Sequence, residues 1–190
     1  ILDDAGIDRA ILVGNSIGGM IAMQTSLDAP DRVIGNLILS SGTNLAAGTP
    51  PEVAEAMQQD WRGVFSGLLD AAISAKSKAE RPEILTYADG CFRVDDNFTE
   101  KVFWASMADP EGVFNWNISE RLKDIQAPTL IIAGEEDGAT TPEQNQFLAD
   151  NIPGAEIRFH KDIAHFCQLE NPNLFNTILR GFVGKIAPSS

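Results

Sequence analysis

Apolar residues in the first forty positions follow two different patterns. A continuous apolar run at 10–13 has the length of a buried strand, and a second β-rich run occupies 33–40. Between them lies a helical pattern that Pro30 stops, with apolar positions at Ile17, Met20, Ile21, Met23 and Leu27. Strand, helix and strand in this order predict a βαβ unit with parallel strands buried on both faces.

The same alternation returns near the end of the chain. "APTLIIAG" (127–134) and "AEIRFH" (155–160) have the composition of strands. A helix between them is indicated by Thr141 as N-cap, Pro142 at the first helical position and Gln144 three residues after the cap. The final segment, 171–186, has apolar pairs at helical spacing after Pro172. The sequence therefore predicts an α/β fold with four parallel strands.

The segment between these halves has a different character. Strand patterns disappear from 43 to 118, and this segment carries all three tryptophans, the single tyrosine and half of the ten phenylalanines. Thr49, Pro50 and Glu52 form a helix-start signature. We expect a first core part at 1–42, a helical insertion at 43–118 and a second core part at 119–186. The insertion is either a lid over a ligand site or a packed helical layer. Its aromatic residues are candidates for a pocket wall or for the interior of the insertion: Trp61, Phe65, Phe103, Trp104, Phe114 and Trp116.

Composition excludes several classes of partner and cofactor. The net charge is −13, which argues against nucleic acid or an anionic membrane as a partner because both require a cationic surface. The two histidines and two cysteines show no metal-ligand spacing, so we expect neither a metal nor an organic cofactor. The cysteine usage favours a reduced, cytoplasmic protein.

The sequence "GNSIGG" at 14–19 directly follows the first apolar run. A serine flanked by small residues between a strand and a helix is the pattern of a nucleophile elbow. In such a turn Gly14 and Gly18 are expected to avoid steric collisions, and Gly19 to let the helix approach the sheet. The turn raises the Ser16 hydroxyl above the carboxyl end of the strand, and the backbone N–H of Ile17 can donate to a developing oxyanion. This pattern predicts a catalytic serine.

Two other interpretations of this turn are a simple glycine-rich turn and a phosphate-binding loop. A phosphate loop would carry a lysine after the glycines, where Met20 stands. The catalytic interpretation requires a base and an acid. His165, in the loop after the last strand, lies at the same sheet edge as Ser16 and is favoured over the strand-end His160. Asp137 is favoured over Glu135 and Glu136, for which we expect solvated surface positions.

Three blocks of this sequence in the order serine, acid, histidine resemble the α/β-hydrolase superfamily. They are "LVGNSIGGMIA", "APTLIIAGEEDGATTP" and "IPGAEIRFHKDIAHFCQLENPNLFNTILRGF". The last block is most similar to 3-oxoadipate enol-lactonases and related small esterases. "GNS" is shared with the meta-cleavage-product hydrolases, which cut carbon–carbon bonds. Those enzymes often carry a tryptophan directly after the histidine, and Phe166 departs from this pattern.

The resemblance implies a serine hydrolase of small carboxylic esters or lactones. The alternatives are a carbon–carbon hydrolase with the same triad and a ligand-binding protein on a hydrolase scaffold. The family's core has eight strands, so the resemblance also implies that this chain supplies the last four and the lid. The N-terminal half of the fold, or a pairing chain, is then expected to complete the sheet beside 10–13 and to supply the second oxyanion donor. Without it, we expect the helix face at Met20 and Met23 to lose part of its covering.

Overall fold

A computed structural model describes residues 1–44, 51–92, 112 and 115–187. Its sheet contains four strands in the described part of the chain: β1 (Ala10–Asn15), β2 (Val33–Leu39), β3 (Thr129–Gly134) and β4 (Glu156–His160). All neighbouring strands are parallel, and their order is β1-β2-β3-β4. The predicted α/β fold with four parallel strands is confirmed.

Seven α-helices accompany the sheet in the described ranges. They are α1 (Ile17–Asp28), α2 (Pro51–Ala71), α3 (Ala75–Glu80), α4 (Glu83–Phe92), α5 (Pro142–Asn151), α6 (Cys167–Glu170) and α7 (Pro172–Ile186). Two 3₁₀ helices, Pro30–Arg32 and Ser119–Asp124, precede β2 and β3. The predicted start of α5 is present as a complete capping box between Thr141 and Gln144. No helix among the described residues is both long enough and apolar enough to span a bilayer.

The two faces of the sheet are covered by different helices. Ile38 and Ile131 point to one face, where they pack with residues of α1, α5 and the 3₁₀ helix at Ser119–Asp124. Leu37 and Ile132 point to the opposite face, which α7 covers with Ile178 and Phe182. Because β2 and β3 are buried on both faces, each large apolar side chain there contributes roughly 1.5–3 kcal/mol of burial free energy.

The covering of β1 differs from the sequence expectation. β1 is only half-buried because it is an edge strand in the described sheet, and Val13 is 46% exposed. The expectation that Met20 and Met23 lose their covering is wrong, since both are buried. The face of α1 that is exposed carries Ile17 and Ile21 instead. The helix is rotated so that its methionines contact the interior while Ile17 and Ile21 lie on its exposed side.

The insertion between β2 and β3 is largely helical from 51 to 92, and an isolated antiparallel bridge joins Asn44 to Asn117 near its two ends. It contains α2, α3 and α4, and α2 is interrupted at Asp60, whose backbone is not helical. Thr49 and Pro50 lie outside the described residues. A third apolar cluster joins this insertion to the core, because Phe166 packs with the four buried side chains Leu69, Ala72, Ile73 and Ile84. The role of the insertion as a lid stays a prediction.

Candidate active site

Ser16 occupies the sharp turn between β1 and α1. Its backbone has φ 55° and ψ −119°, a conformation that costs a non-glycine residue about 1–3 kcal/mol. The neighbouring strand holds this conformation: the Ser16 N–H donates to the Leu39 carbonyl at 2.9 Å. The Ser16 carbonyl accepts from the Gly19 N–H at 2.9 Å and from the Ser41 hydroxyl at 2.8 Å. The structure therefore has the strained strand–turn–helix geometry of a nucleophile elbow.

The glycines of the turn do not all have the predicted role. A Cβ atom added at Gly14 would lie 2.1 Å from the Gly18 carbonyl oxygen, so no side chain fits there. A Cβ at Gly19 would lie 2.7 Å from the Ser41 side chain, which explains the close approach of helix to sheet. The prediction for Gly18 is wrong: among the described residues, nothing lies within 4 Å of a Cβ added there. The collision at this turn is with the backbone of residue 18, not with its side chain.

The backbone N–H of Ile17 lies in the first turn of α1. It has no hydrogen-bond acceptor among the described residues, as expected for the first N–H groups of a helix. The partial positive charge of the helix N-terminus adds to its capacity to bind an anion. The amide therefore has the position and the free donor that the predicted oxyanion site needs.

His165 and Asp137 form a buried pair at the carboxyl edge of the sheet. His165 Nδ1 lies 2.9 Å from Asp137 Oδ2 and 3.2 Å from Oδ1. Both residues are about 95% buried, with relative exposures of 5% and 4%. The Thr140 hydroxyl donates to Asp137 Oδ2 at 2.9 Å and lies 3.2 Å from His165 Nδ1. The carboxylate thus fixes the orientation of the imidazole, as in a catalytic triad.

Asp137 stays ionised in this buried position. Burial raises the pKa of its carboxyl group, but the hydrogen bond and charge interaction with His165 lower it. The backbone N–H groups of Thr140 and Ala139, which donate to Oδ1, lower the pKa further. The net result is a pKa below the usual 3.8. A carboxylate that remains charged can stabilise an imidazolium on His165.

Asn15 connects the elbow to the histidine loop. Its Nδ2 donates to the His165 carbonyl at 2.9 Å and to the Leu39 carbonyl at 3.2 Å. Gln168 Nε2 donates to Asn15 Oδ1 at 3.3 Å. No hydrogen bond joins the Ser16 hydroxyl to the His165 ring, both of which are described. Such contacts are often long without substrate. The side chain of Asn15, directly before Ser16, instead joins the elbow to the backbone of His165.

A second buried amide connects the elbow to the acid loop. The Asn145 side chain is fully buried in α5. Its Oδ1 accepts from the Ser41 N–H at 3.1 Å, and its Nδ2 donates to the carbonyls of Thr140 and Thr141 at 3.2 and 3.1 Å. Because the Ser41 hydroxyl also binds the Ser16 carbonyl, this network links the nucleophile turn to the loop of Asp137.

The rejected candidates lie elsewhere. His160 ends β4, and its buried Nε2 has no partner among the described residues. Burial and, to a smaller extent, the charge of Arg158 lower the pKa of His160, which disfavours its charged form. Glu135 and Glu136 are exposed as expected, but Glu136 is not merely solvated, because its Oε2 accepts from the Ala75 N–H at 3.0 Å.

The predicted aromatic pocket residues are only partly described. Phe103, Trp104 and Phe114 lie outside the described residues, as do the side chains of Trp61 and Phe65. Trp116 packs against the α1 side of the main core, not against the apolar cluster of the insertion, and its indole N–H donates to Gln24 Oε1 at 2.8 Å. That contact lies two helical turns beyond Ser16, so Trp116 is not a wall of the site above the elbow.

Sequence patterns did not identify Asn15, Thr140 or Asn145 as parts of the site. Asn15 and Asn145 bind residues 150 and 104 positions away, and the spacing of residues along the chain contains no signal for such contacts. Asn15 had a partial signal, because it directly precedes the predicted nucleophile.

Known proteins similar to this chain share its fold. The model of the family described as "Alpha/beta hydrolase family" matches residues 1–177. A solved structure described as "Est816 as an N-Acyl homoserine lactone degrading enzyme" is 62% identical with a TM-score of 0.92, covering 96% of this chain and 70% of that one. An enol-lactonase from Burkholderia xenovorans LB400 has the same fold, with a TM-score of 0.79 at 21% identity over 96% of this chain and 68% of that chain.

A curated relative comes from Paraburkholderia phymatum and is named 2-hydroxy-6-oxononadienedioate/2-hydroxy-6-oxononatrienedioate hydrolase. It is 28% identical over 193 residues, which is 97% of this chain. The chain spans 66% of the length of that relative.

Proposed function

The chain belongs to the alpha/beta hydrolase family, and from this premise we propose that it carries the catalytic triad of a serine hydrolase acting on lactones or small carboxylic esters. The observation that supports this most is the buried pair of His165 and Asp137, tied through Asn15 to the strained turn that presents Ser16. Catalytic roles follow from this arrangement: Ser16 is the nucleophile, His165 the general base and Asp137 the group that orients it.

The proposed reaction proceeds through an acyl-enzyme. His165 takes the Ser16 hydroxyl proton through Nε2 while the oxygen attacks the substrate carbonyl carbon. The Ile17 N–H donates to the resulting oxyanion. When the tetrahedral intermediate collapses, the bond between the carbonyl carbon and the alkoxy oxygen breaks and the imidazolium protonates the departing alkoxide. Water, deprotonated by His165, then attacks the acyl carbon. The bond from that carbon to Ser16 Oγ breaks, and the imidazolium returns the proton to Oγ. With a lactone the departing alcohol remains part of the acyl group, so the product is one hydroxy acid.

Among acyl substrates, N-acyl homoserine lactones are the class that the similarities favour. The relative with 62% identity is described as degrading them, and its backbone matches with a TM-score of 0.92. The aromatic residues Trp61, Phe65, Phe103, Trp104 and Phe114 remain candidates for contacts with an acyl chain.

A carbon–carbon hydrolase is the second candidate. The Paraburkholderia relative carries the name of such an enzyme, and Asn15 before Ser16 matches the "GNS" pattern of the resemblance. Phe166, in place of the frequent tryptophan, remains a departure from that pattern.

A further polypeptide segment is proposed to cover the edge of β1. β1 is an edge strand of the described sheet, and the apolar side chains of Val13 on β1 and of Ile17 and Ile21 on α1 are 46%, 45% and 63% exposed. Such an edge promotes association with another strand. The covering segment, either from the same polypeptide or from a partner, is proposed to supply the second oxyanion donor.

The deciding experiment compares three measurements on the protein. N-acyl homoserine lactone opening, p-nitrophenyl ester hydrolysis and cleavage of a yellow dienone are measured with wild type and Ser16→Ala. We expect lactone opening that the substitution abolishes, together with fluorophosphonate labelling of Ser16. Faster dienone cleavage would establish the second candidate. Ligand binding without turnover of any substrate would contradict both and indicate a binding protein.

A further inference from the structure

We propose that Glu170 is a positioning residue that ties the helical insertion to the backbone of His165. The proposal rests on the proposed function in one respect, namely that His165 is the general base. Glu170 ends the short helix α6, five residues after His165, and its side chain faces the loop that carries the imidazole.

Both carboxylate oxygens of Glu170 accept hydrogen bonds from buried backbone amides. Oε1 accepts from the N–H groups of Ala164 at 2.9 Å and Phe166 at 3.3 Å. Oε2 accepts from the N–H of Ser74 at 2.9 Å. Ala164 and Phe166 directly flank His165, whereas Ser74 belongs to the turn between α2 and α3. One side chain therefore bridges the histidine loop and the insertion.

The intervening amide is held by the same turn. The N–H of His165 donates to the Ala72 carbonyl at 3.0 Å. Three consecutive amides around the imidazole are thus bound either to Glu170 or to the Ala72–Ser74 turn. Arg81 adds two bonds from α3's C-terminal end, its Nη2 donating to the carbonyls of Leu169 and Glu170 at 3.0 and 2.8 Å. The backbone that carries His165 is consequently fixed from the insertion side.

A carboxylate is the side chain that this arrangement requires. Three N–H donors converge on it, and a carboxylate consists only of acceptors, whereas glutamine has one acceptor oxygen and one donor group. In Glu170→Gln, the side-chain NH₂ group must therefore face either the Ser74 N–H or the N–H groups of Ala164 and Phe166, and donors cannot bind each other. A buried donor left without an acceptor costs about 1–3 kcal/mol, and the loop relieves that cost by moving. Movement of the loop displaces His165 from Ser16.

Glu136→Gln is the matched control. Glu136 Oε2 accepts from the Ala75 N–H at 3.0 Å, so it also joins the insertion to a catalytic loop, the loop of Asp137. It makes no bond to 164–166 among the described contacts. A general loosening of the insertion would affect both variants, whereas a role in positioning His165 affects only Glu170→Gln.

The experiment measures kcat, KM and the downfield proton resonance of the His165 Nδ1–H in wild type and both variants. We expect Glu170→Gln to lower kcat by about 10- to 100-fold, because misplacing a catalytic group by about 1 Å has effects of this size. KM should change by less than about threefold, and the Nδ1–H resonance should broaden or disappear. Glu136→Gln should keep the resonance and nearly all of kcat.

Equal losses in the two variants, or an unchanged resonance and kcat in Glu170→Gln, would overturn the proposal. Failure of the proposed function has a different signature, because a protein without turnover still reports the position of His165 through the resonance. If Glu170→Gln does not fold, hydrogen exchange of the wild type supplies the test. The amides of Ser74, Ala164 and Phe166 should be protected and open together, and rapid exchange of the Ser74 amide alone would refute the bridge.

Discussion

The elbow and the histidine loop reach their conformations by different physical means. The motif of the Ser16 turn has a steric cause within six residues, since Gly14 is required by the backbone of Gly18, although bonds to Leu39 and Ser41 also hold the turn. The His165 loop depends on bonds to partners far away in sequence, including Asn15, 150 positions earlier, and Glu170 to Ser74, which are 96 positions apart. A local turn leaves a motif in the sequence, whereas a loop held by distant partners does not. The two regions should therefore respond differently to substitution.

The largest expected effect separates the two histidines. His165→Ala should lower kcat/KM by about 10⁴-fold or more, because loss of a triad base leaves only the contributions of binding and oxyanion donors. His160→Ala should retain most of the activity, since His160 ends β4 and has no bond to the pair of His165 and Asp137. Steady-state kinetics on the best substrate checks this. Similar losses in the two variants would mean that the His165 loop is not the catalytic one.

The next effect concerns the elbow alone. Gly14→Ala should destabilise the protein by at least about 3 kcal/mol or prevent folding, because its Cβ would meet the Gly18 carbonyl at 2.1 Å. Gly18→Ala is the control, since nothing described lies within 4 Å of its Cβ and alanine favours a helix. Urea unfolding of both variants measures the difference. A stable Gly14→Ala protein would show that the turn adapts more easily than its close contact indicates.

The same contrast explains how far the sequence predicted this molecule. The four strands and the start of α5 at Thr141 follow from local patterns and are confirmed. Asp137 and His165 were chosen because their loops follow parallel strands, and the structure places these loops at the same sheet edge as Ser16. The burial of Met20 and Met23 was predicted wrongly because helical periodicity identifies apolar positions but does not fix the rotation of a helix with two apolar faces. Asn145 and Glu170 were missed because their partners become neighbours only in the folded chain.

Two adjacent threonines test whether the hydroxyl beside Asp137 and His165 contributes to catalysis. Thr140→Val removes the hydroxyl that donates to Asp137 Oδ2 at 2.9 Å, so kcat should fall by roughly 10-fold, the equivalent of one hydrogen bond to a charged group. Thr141→Val removes the N-cap of α5 instead, and it should cost about 1 kcal/mol of stability with little change in kcat. Kinetics and thermal unfolding distinguish the two. If Thr141→Val lowered kcat as much as Thr140→Val, the bond from Thr140 to Asp137 would have no specific effect on kcat.

Acid titration tests the charge of the buried pair. Because the folded pKa of Asp137 lies below 3.8, its ionised form stabilises the fold above that pH, and this contribution is lost as the pH falls through the folded pKa. The difference in unfolding free energy between wild type and Asp137→Asn should therefore be constant at neutral pH and shrink below 3.8. Urea unfolding at pH 7 and pH 3 measures it. A difference that grows on acidification would mean that the carboxyl group is protonated in the fold.

The smallest expected effect is a gain in stability at the nucleophile itself. Ser16 has φ 55° and ψ −119°, a conformation that glycine adopts without a Cβ penalty. Ser16→Gly should relieve strain of about 1–3 kcal/mol, but the freer unfolded chain offsets about 0.4–1 kcal/mol of this, which leaves a net gain of about 1 kcal/mol. Ser16→Ala is the matched control: it also lacks the hydroxyl but keeps the Cβ, so it should be no more stable than wild type. Thermal unfolding of wild type and the two variants measures the order of their stabilities. If Ser16→Gly and Ser16→Ala were equally stable, the elbow would store no backbone strain. Backbone strain at Ser16 would then not be a difference between the elbow and the histidine loop.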